Sequence, residues 1–177
     1  IKGVGEQAMT SLVEERRRGG AYADIFDLVG RLGPRVLNRR LLEGLIRAGA
    51  LDGFGCSRAA HLEAIDAALR YGQAVVDARE GGQAGLFDAL GADVAIPKPV
   101  IVDRGEAAML EVLEQEHQAL GFFLSAHPLD GYRRPLARLG AVPLAEVAAL
   151  VAGGDGPRVF KLAGIAVARQ ERTGARG

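Results

Sequence analysis

The sequence predicts a mainly α-helical fold, and three observations support this prediction. Apolar residues recur at helical spacing in several stretches, glycine-rich or proline-containing breaks separate these stretches, and aromatic residues make up only 5% of the chain. The 49% of apolar residues suffices for a packed core, and 25 glycines among 177 residues favour thin, closely packed helices. No apolar run approaches the roughly 20 residues that span a bilayer, so we expect no membrane partner.

Four helical segments are predicted in the first part of the chain. Asn38 is expected to cap one of them, which Gly49 then ends, because these residue types favour the two ends of a helix. Ser57 is expected to cap the longest. The four predicted spans are residues 6–18, 24–29 (a short helix or a turn), 39–48 and 57–80.

The rest of the chain is expected to hold a linker, two more helices and one strand. Glycines and prolines without a sustained period predict a linker over residues 81–103. One helix is expected to start at about Arg104 and another at Pro143. β-branched residues at loose period two predict a strand over residues 159–169. The inward-facing residues expected in the two helices are Met109, Leu113, Leu120, Leu124, Val147, Leu150 and Val151.

Cysteine, histidine and serine chemistry is not expected. Cys56 is the only cysteine, which excludes an internal disulfide and a cysteine-based zinc cluster and favours a cytosolic compartment. His61, His117 and His127 lie too far apart in sequence to share ligand spacing. Ser125 near His127 lacks the surroundings of a nucleophile. We therefore predict no catalytic residue, no metal ligand and no cofactor within this chain.

Several ionisable residues are instead expected to face solvent. His61 is predicted to lie on a helix surface, and Glu111, Glu114 and Glu116 to form a charged helix face. His127 is expected in a turn before a proline.

Charge is distributed unevenly although the net charge is zero. Residues 1–58 carry ten basic and seven acidic side chains, net +3, and residues 158–177 carry five and one, net +4. Residues 59–157 carry seven and fourteen, net −7. Two basic ends around an acidic middle indicate polyanion contact at the ends.

A candidate anion site lies at the start of the chain. Gly3 and Gly5 allow a tight turn in front of a helix, whose first N–H groups then lack intrahelical partners. These donors and the positive end of the helix dipole attract an anion. Arg39 and Arg40 begin another helix, where cations are disfavoured unless an anion lies near. An ordinary helix-entry turn and two solvated arginines remain alternatives.

A candidate docking peptide lies in the predicted linker. A hydrogen-bonding glutamine followed by an adjacent aliphatic and aromatic residue is typical of a peptide that fills a partner's apolar cleft. The alternative is that the apolar pair folds back onto a neighbouring helix. The five residues are Gln83, Ala84, Gly85, Leu86 and Phe87.

Four stretches, in this order, resemble the alpha subunit of bacterial DNA polymerase III. Residues 1–6 resemble the hairpin of a helix-hairpin-helix DNA-binding module, and residues 38–52 resemble its degenerate second copy. Residues 83–87 are similar to that family's internal sliding-clamp-binding motif. Residues 120–130 resemble the signature that precedes an OB-fold.

The resemblance implies an organisation for the whole chain. It consists of a tandem helix-hairpin-helix module without its first helix, a helix, a linker with the clamp-binding motif, a helical segment and the first strand of a truncated OB-fold. The corresponding ranges are residues 1–55, 56–80, 81–103, 104–157 and 158–177.

The resemblance also implies a function. The full-length family protein is a DNA-directed DNA polymerase, a nucleotidyltransferase whose catalytic carboxylates and Mg²⁺ would lie outside this segment. The segment would tether the polymerase to duplex DNA and the sliding clamp during chromosome replication, beside other holoenzyme subunits in the cytoplasm, at the nucleoid. The DNA-binding residues so implied are Lys2, Gly3, Val4, Gly5, Arg39 and Arg40.

The sequence departs from the family pattern at Gly85, where preferred clamp-binding peptides carry a polar residue, so modest clamp affinity is expected. Two alternatives remain open. The chain could be the corresponding segment of an error-prone polymerase paralogue, or a helical protein–protein scaffold that does not bind DNA.

Overall fold

The computed structural model describes residues 1–80, 96–103, 105–154, 159–166 and 169. It forms two units, residues 1–124 and residues 125–177, each with its own internal contacts. The pentapeptide of residues 83–87 lies outside the described residues. None of the helices in the described parts of the chain combines the length and apolar content that crossing a bilayer requires.

The described residues of unit 1 form five α-helices and one 3₁₀ turn. Helix α2 packs on α4, α3 packs on both α4 and α5, and α1 packs on α2. The helices are α1 (Glu6–Gly19), α2 (Ile25–Leu32), α3 (Arg39–Arg47), α4 (Arg58–Glu80) and α5 (Met109–Leu120), with the 3₁₀ turn at Asp52–Phe54.

Local hydrogen bonds explain where these helices begin. The side chain of Asn38 accepts from the N–H of Leu41 at 2.9 Å, and Ser57 Oγ accepts from the N–H of Ala60 at 3.2 Å. Both predicted caps are therefore confirmed. Asp24 caps α2 in the same way, and that segment is a full helix rather than a turn.

The core of unit 1 is the apolar layer between α2, α3 and α4. The residues that α2 and α3 contribute to this layer are buried, as is Ile65 of α4. Leu62 and Leu69 pack partly buried against this layer. Apolar burial of this kind supplies most of the driving force for a small helical unit. The fully or nearly buried core residues are Ile25, Phe26, Leu28, Val29, Leu37, Leu41, Leu42, Leu45, Ile46, Leu51, Ile65 and Ala68.

Helix α1 is held to this core through a polar contact as well as through its apolar face. The guanidinium of Arg31 donates to the backbone oxygen of Glu15 at 2.9 Å and to its carboxylate at 3.2 Å. It also lies 4.4 Å from the ring centroid of Tyr22, whose hydroxyl donates to the backbone oxygen of Leu12 at 2.8 Å. Glu15 therefore does not face solvent freely, because Arg31 from the next helix binds it.

Helix α5 begins later than predicted, at Met109 rather than near Arg104, and ends at Gly121. Leu113 is buried as expected, but Met109 and Leu124 are 59% and 60% exposed. Met109 is the first residue of the helix and Leu124 lies beyond its end, so helical spacing extended to and past the ends predicted both side chains inward.

The expectation that Glu116 is part of a solvated face is also wrong. Its side chain is completely buried and accepts from both terminal nitrogens of Arg58 at 3.2 Å. Arg58 is itself buried and also pairs with Asp52 at 2.7 Å. This pairing joins α5 to the start of α4, and a buried carboxylate requires such a partner.

His61 is buried rather than solvated, with only 1% of its surface exposed. Its ring meets the ring of Phe54 edge to face, with 6.1 Å between centroids. Its Nδ1 atom has no hydrogen-bond partner among the described residues. Burial lowers the pKa of His61 below its usual value of 6.5, opposed by the carboxylate of Asp52.

Residues 96–103, in the second part of the predicted linker, are attached to unit 1. Asp103 accepts from the N–H and the hydroxyl of Ser57, at 2.9 and 2.6 Å. Lys98 pairs with Asp24 at 2.7 Å, and Ile101 packs against the core. The start of α4 and the start of α2 thus each hold one point of this segment.

In unit 2, the part of the chain that the structure describes forms two short helices, α6 (Arg133–Arg138) and α7 (Leu144–Ala152), and a 3₁₀ turn at Asp130–Tyr132. The predicted start of α7 at Pro143 is confirmed, since Pro143 is its N-terminal flanking residue. His127 lies in a turn, where its N–H donates to Asp130 at 2.9 Å.

The strand predicted over residues 159–169 is not seen in its described part, residues 159–166 and 169. That part makes one parallel bridge, between Lys161 and Ala141, with the N–H of Val142 donating to the backbone oxygen of Lys161 at 2.9 Å. A strand requires a ladder of such bonds to a neighbour, and one bridge does not make one.

Candidate nucleic-acid interface

Of the two glycines in the turn at residues 1–5, only one has the backbone conformation that the sequence predicts for a tight turn. Gly3 adopts φ +74°, a conformation that favours glycine. Gly5 has φ −73° and ψ 141°, ordinary extended backbone that other residues adopt. Gly3 therefore makes the turn, and Gly5 serves as the residue from which α1 starts.

The N-terminus of α1 presents backbone donors. Its first intrahelical bond runs from the N–H of Met9 to the backbone oxygen of Gly5 at 3.2 Å. The N–H groups of the three residues before Met9 belong to the uncapped first turn, since no side chain of the described residues caps this helix. An acceptor at this end would meet these donors and the positive end of the dipole.

Arg40 lies directly against the turn. A Cβ atom built on Gly3 would be 3.2 Å from both Nε and Nη2 of Arg40. Arg40 and Lys2 are both exposed, and neither forms an ion pair with the described residues. Two cations, a glycine turn and the uncapped end of α1 therefore adjoin one another.

Arg39, the neighbour of Arg40, points elsewhere. Its guanidinium donates to Glu43 at 3.0 Å and also to Asp66 of α4. The hydrogen bond to Asp66 raises the pKa of Arg39 above its usual value, and the bond to Glu43 acts in the same direction. The structure thus brings Arg40 but not Arg39 to the turn.

Val4 contributes to the site by fixing the turn on α3. A Cβ atom built on Gly44 would be 3.3 Å from Cγ2 of Val4 and 3.5 Å from Cγ2 of Ile1. The absence of a side chain at Gly44 lets the turn sit directly on the helix.

A contact that the sequence did not predict joins the turn to α5. The N–H of Lys2 donates to the backbone oxygen of Ala119 at 2.8 Å. A Cβ atom on Gly121 would lie 3.4 Å from Nζ of Lys2. A contact between residues this far apart in sequence leaves no local pattern, and Gly121 as a helix stop was the sole available signal.

Comparison with known proteins identifies relatives along the whole chain. A family model described as a helix-hairpin-helix motif matches residues 1–61. The DNA polymerase III subunit alpha of Caulobacter vibrioides is 36% identical over all of the chain, and that of Escherichia coli K12 is 33% identical over all of it. The subunit of Thermus aquaticus is 37% identical over 75% of the chain. The chain spans 15% of the length of the first two relatives and 10% of the third.

Proposed function

Because this chain belongs to the family of DNA polymerase III alpha subunits, we propose that it is a segment that holds duplex DNA and the sliding clamp for such a polymerase. The polymerase reaction, with its Mg²⁺, is then carried out by residues outside these 177. The segment would act in chromosome replication, in the cytoplasm at the nucleoid, beside other holoenzyme subunits. An OB-fold would begin near Arg158.

The observation that carries the duplex-binding part is the placement of Arg40 and Lys2 beside the Gly3 turn. A phosphate of the DNA backbone would accept from the uncapped N–H groups of α1 while the two side chains neutralise its charge. The turn is exposed, so the sugar-phosphate backbone of duplex DNA can reach it. Contacts of this kind position a protein on DNA without reading its bases.

The proposal therefore requires binding that ignores sequence and weakens with salt. Each phosphate neutralised contributes about −0.9 to the slope of log K against log salt on duplex DNA. Two cations at the turn, each neutralising one phosphate, imply a slope of about −1.8 or steeper. Binding that does not change with salt, or no binding at low ionic strength, would contradict the proposal and support the helical scaffold.

The two glycines of the turn offer a matched pair of variants for this test. Gly3→Ala places a Cβ on a residue with φ +74° and 3.2 Å from the guanidinium of Arg40. Gly5→Ala adds the same atom where nothing lies within 4 Å and where φ suits alanine. In a fluorescence anisotropy titration with duplexes of two unrelated sequences, we expect Gly3→Ala to weaken binding at least tenfold. Gly5→Ala should remain within about twofold of the native chain, and equal affinities for both variants would place the phosphate elsewhere.

The clamp-binding part rests on the residues Gln83, Ala84, Gly85, Leu86 and Phe87. Leucine and phenylalanine would fill an apolar cleft of the clamp, and the glutamine would hydrogen-bond to the clamp's backbone. The order of this peptide after the helix-hairpin-helix motif supports the proposal, since alpha subunits are the relatives that the whole chain matches. The affinity should be modest because Gly85 stands where preferred clamp-binding peptides carry a polar residue, and ordering a glycine on binding costs more conformational entropy than ordering other residues.

A further inference from the structure

A series of contacts in unit 1 connects the buried Glu116 to the proposed phosphate site. Glu116 Oε2 accepts from the N–H of Leu124 at 2.8 Å, so it holds the residues that follow α5. Its Oε1 accepts from Arg58 at 3.2 Å, which fixes α5 against the start of α4. One carboxylate thus holds the last turn of α5 and the chain beyond it.

Besides resting on α3, the hairpin of residues 1–5 also contacts the last turn of α5. The backbone oxygen of Ala119 accepts from the N–H of Lys2, the residue before Gly3, and Nζ of Lys2 lies beside Gly121. A displacement of this turn would move Lys2 and the Gly3 backbone together. Arg40 stays with α3 and would keep its place, so the site would lose its geometry without losing its charge.

We propose that α5 completes the phosphate site at the hairpin and that Glu116 is the residue that positions it. This inference rests on the proposed function, because it concerns the same phosphate site. It adds to the DNA-binding surface a helix that begins 48 residues after the end of the matched helix-hairpin-helix motif, and it gives the buried Arg58–Glu116 pair a role in binding.

Two variants at the same arginine separate positioning from general stability. Glu116→Gln and Asp52→Asn each remove one carboxylate charge from Arg58. Only Glu116→Gln also replaces the acceptor of the Leu124 N–H, because an amide NH₂ can take the place of Oε2. Both carboxylate oxygens of Asp52 bind Arg58, and Asp52 forms no hydrogen bond with α5 among the described residues, so it serves as the matched control.

Hydrogen exchange of the Lys2 amide measures, in the absence of DNA, how firmly the end of α5 holds Lys2. Its N–H is bonded to Ala119, so loosening of the α5 end exposes it. We expect exchange at Lys2 to be at least tenfold faster in Glu116→Gln than in the native 177-residue chain, and unchanged in Asp52→Asn. Equal exchange in all three proteins would overturn the inference.

Duplex binding then tests the functional half. We expect Glu116→Gln to weaken binding about fivefold and to reduce the salt slope by about one phosphate contact, with Asp52→Asn close to the native chain. If the native chain binds duplex and Glu116→Gln binds equally well with the same slope, the inference fails and the proposed function stands. If the native chain does not bind duplex at all, the proposed function fails and the inference falls with it.

A second pair of variants covers the case in which Glu116→Gln does not fold. Gly121 and Gly55 have nearly the same left-handed backbone, with φ 92° and 80° and ψ 4° and 3°. An aspartate tolerates this conformation better than most residues. Gly121→Asp sets a carboxylate beside Lys2, whereas Gly55→Asp adds the same charge where nothing lies within 4 Å. We expect at least tenfold weaker duplex binding for Gly121→Asp alone, and equal binding by the two variants would overturn the inference.

Discussion

Val29 and Gly72 meet where α2 crosses α4: a Cβ atom built on Gly72 would lie 3.0 Å from the backbone oxygen of Val29 and 3.1 Å from its Cβ. The two helices therefore approach as closely as they do because residue 72 has no side chain. Interiors packed to this density do not accommodate additional atoms without moving backbone.

Gly72→Val is expected to lower the free energy of unfolding by about 2 kcal/mol, because the added side chain overpacks the α2–α4 crossing. Urea denaturation followed by circular dichroism measures the change. Arg70→Val puts the same residue at an exposed position of the same helix and should cost less than about 0.7 kcal/mol. Equal losses in the two variants would show that helix propensity rather than crowding sets the cost.

Arg31→Lys is expected to lower the free energy of unfolding by about 1–3 kcal/mol, since an ammonium cannot reproduce the planar fork that binds Glu15 and stacks on Tyr22. The same denaturation experiment applies. The control is Arg35→Lys, at an arginine whose side chain is 84% exposed and forms one pair with Glu80 at 3.5 Å. A loss at Arg35 as large as that at Arg31 would contradict this account.

Protonation of His61 should lower the free energy of unfolding as pH falls below neutrality. Burial lowers its pKa below 6.5 in the folded chain, so the unfolded state binds a proton first as pH falls. The free energy of unfolding is therefore highest above about pH 6.5 and decreases as pH falls towards the pKa of the folded state. Glu15 and Asp103, whose pKa values are also lowered, affect stability only below about pH 4.5. Their contribution is therefore separated in pH from that of His61.

Denaturation midpoints at pH 7.5, 6.5 and 5.5 test this, each for the native chain and for His61→Leu. The variant should show a smaller loss of stability between pH 7.5 and 5.5, whatever its stability at pH 7.5. An unchanged slope would assign the pH dependence to other groups.

Arg40→Ala is expected to weaken duplex binding about tenfold and to reduce the salt slope by about one, as loss of one phosphate contact does. Arg39→Ala should have a smaller effect, because Glu43 and Asp66 already bind its guanidinium. Salt titrations of both variants by fluorescence anisotropy give the comparison. Equal effects would mean that DNA releases Arg39 from its two carboxylates.

For the clamp, Leu86→Ala combined with Phe87→Ala is expected to abolish binding, because these residues would be the buried anchors of the peptide. Isothermal titration of purified sliding clamp with the native and doubly substituted chains measures it. Asp88→Ala, next to the peptide, is the control and should bind like the native chain. Unchanged affinity of the double variant would remove the clamp-binding role.

The starts of α3 and α4 were predictable because the groups that fix them lie within a few residues. The Asn38 side chain reaches Leu41, and the Ser57 hydroxyl reaches Ala60, so the spacing is visible in the sequence. The core face of α3 was predictable for the same reason, since helical periodicity is a local property.

The partners of charged residues were not predictable in this way. Glu116 is buried because Arg58, distant in sequence, meets it, and a lone glutamate in a helix otherwise favours solvent. Arg39 and Arg40 form one dipeptide in the sequence, yet successive residues point about 100° apart around a helix. One therefore lies on Asp66 and the other on Gly3, which no composition argument distinguishes.

Gly44 lets the hairpin of residues 1–5 rest directly on α3. Ile1 and Val4 both lie against this position, which has no side chain. No spacer separates the hairpin from the helix here, so we expect Ile1 and Val4 to move with α3 as one rigid piece. A curved partner would then have to adapt its own shape to this part of the surface.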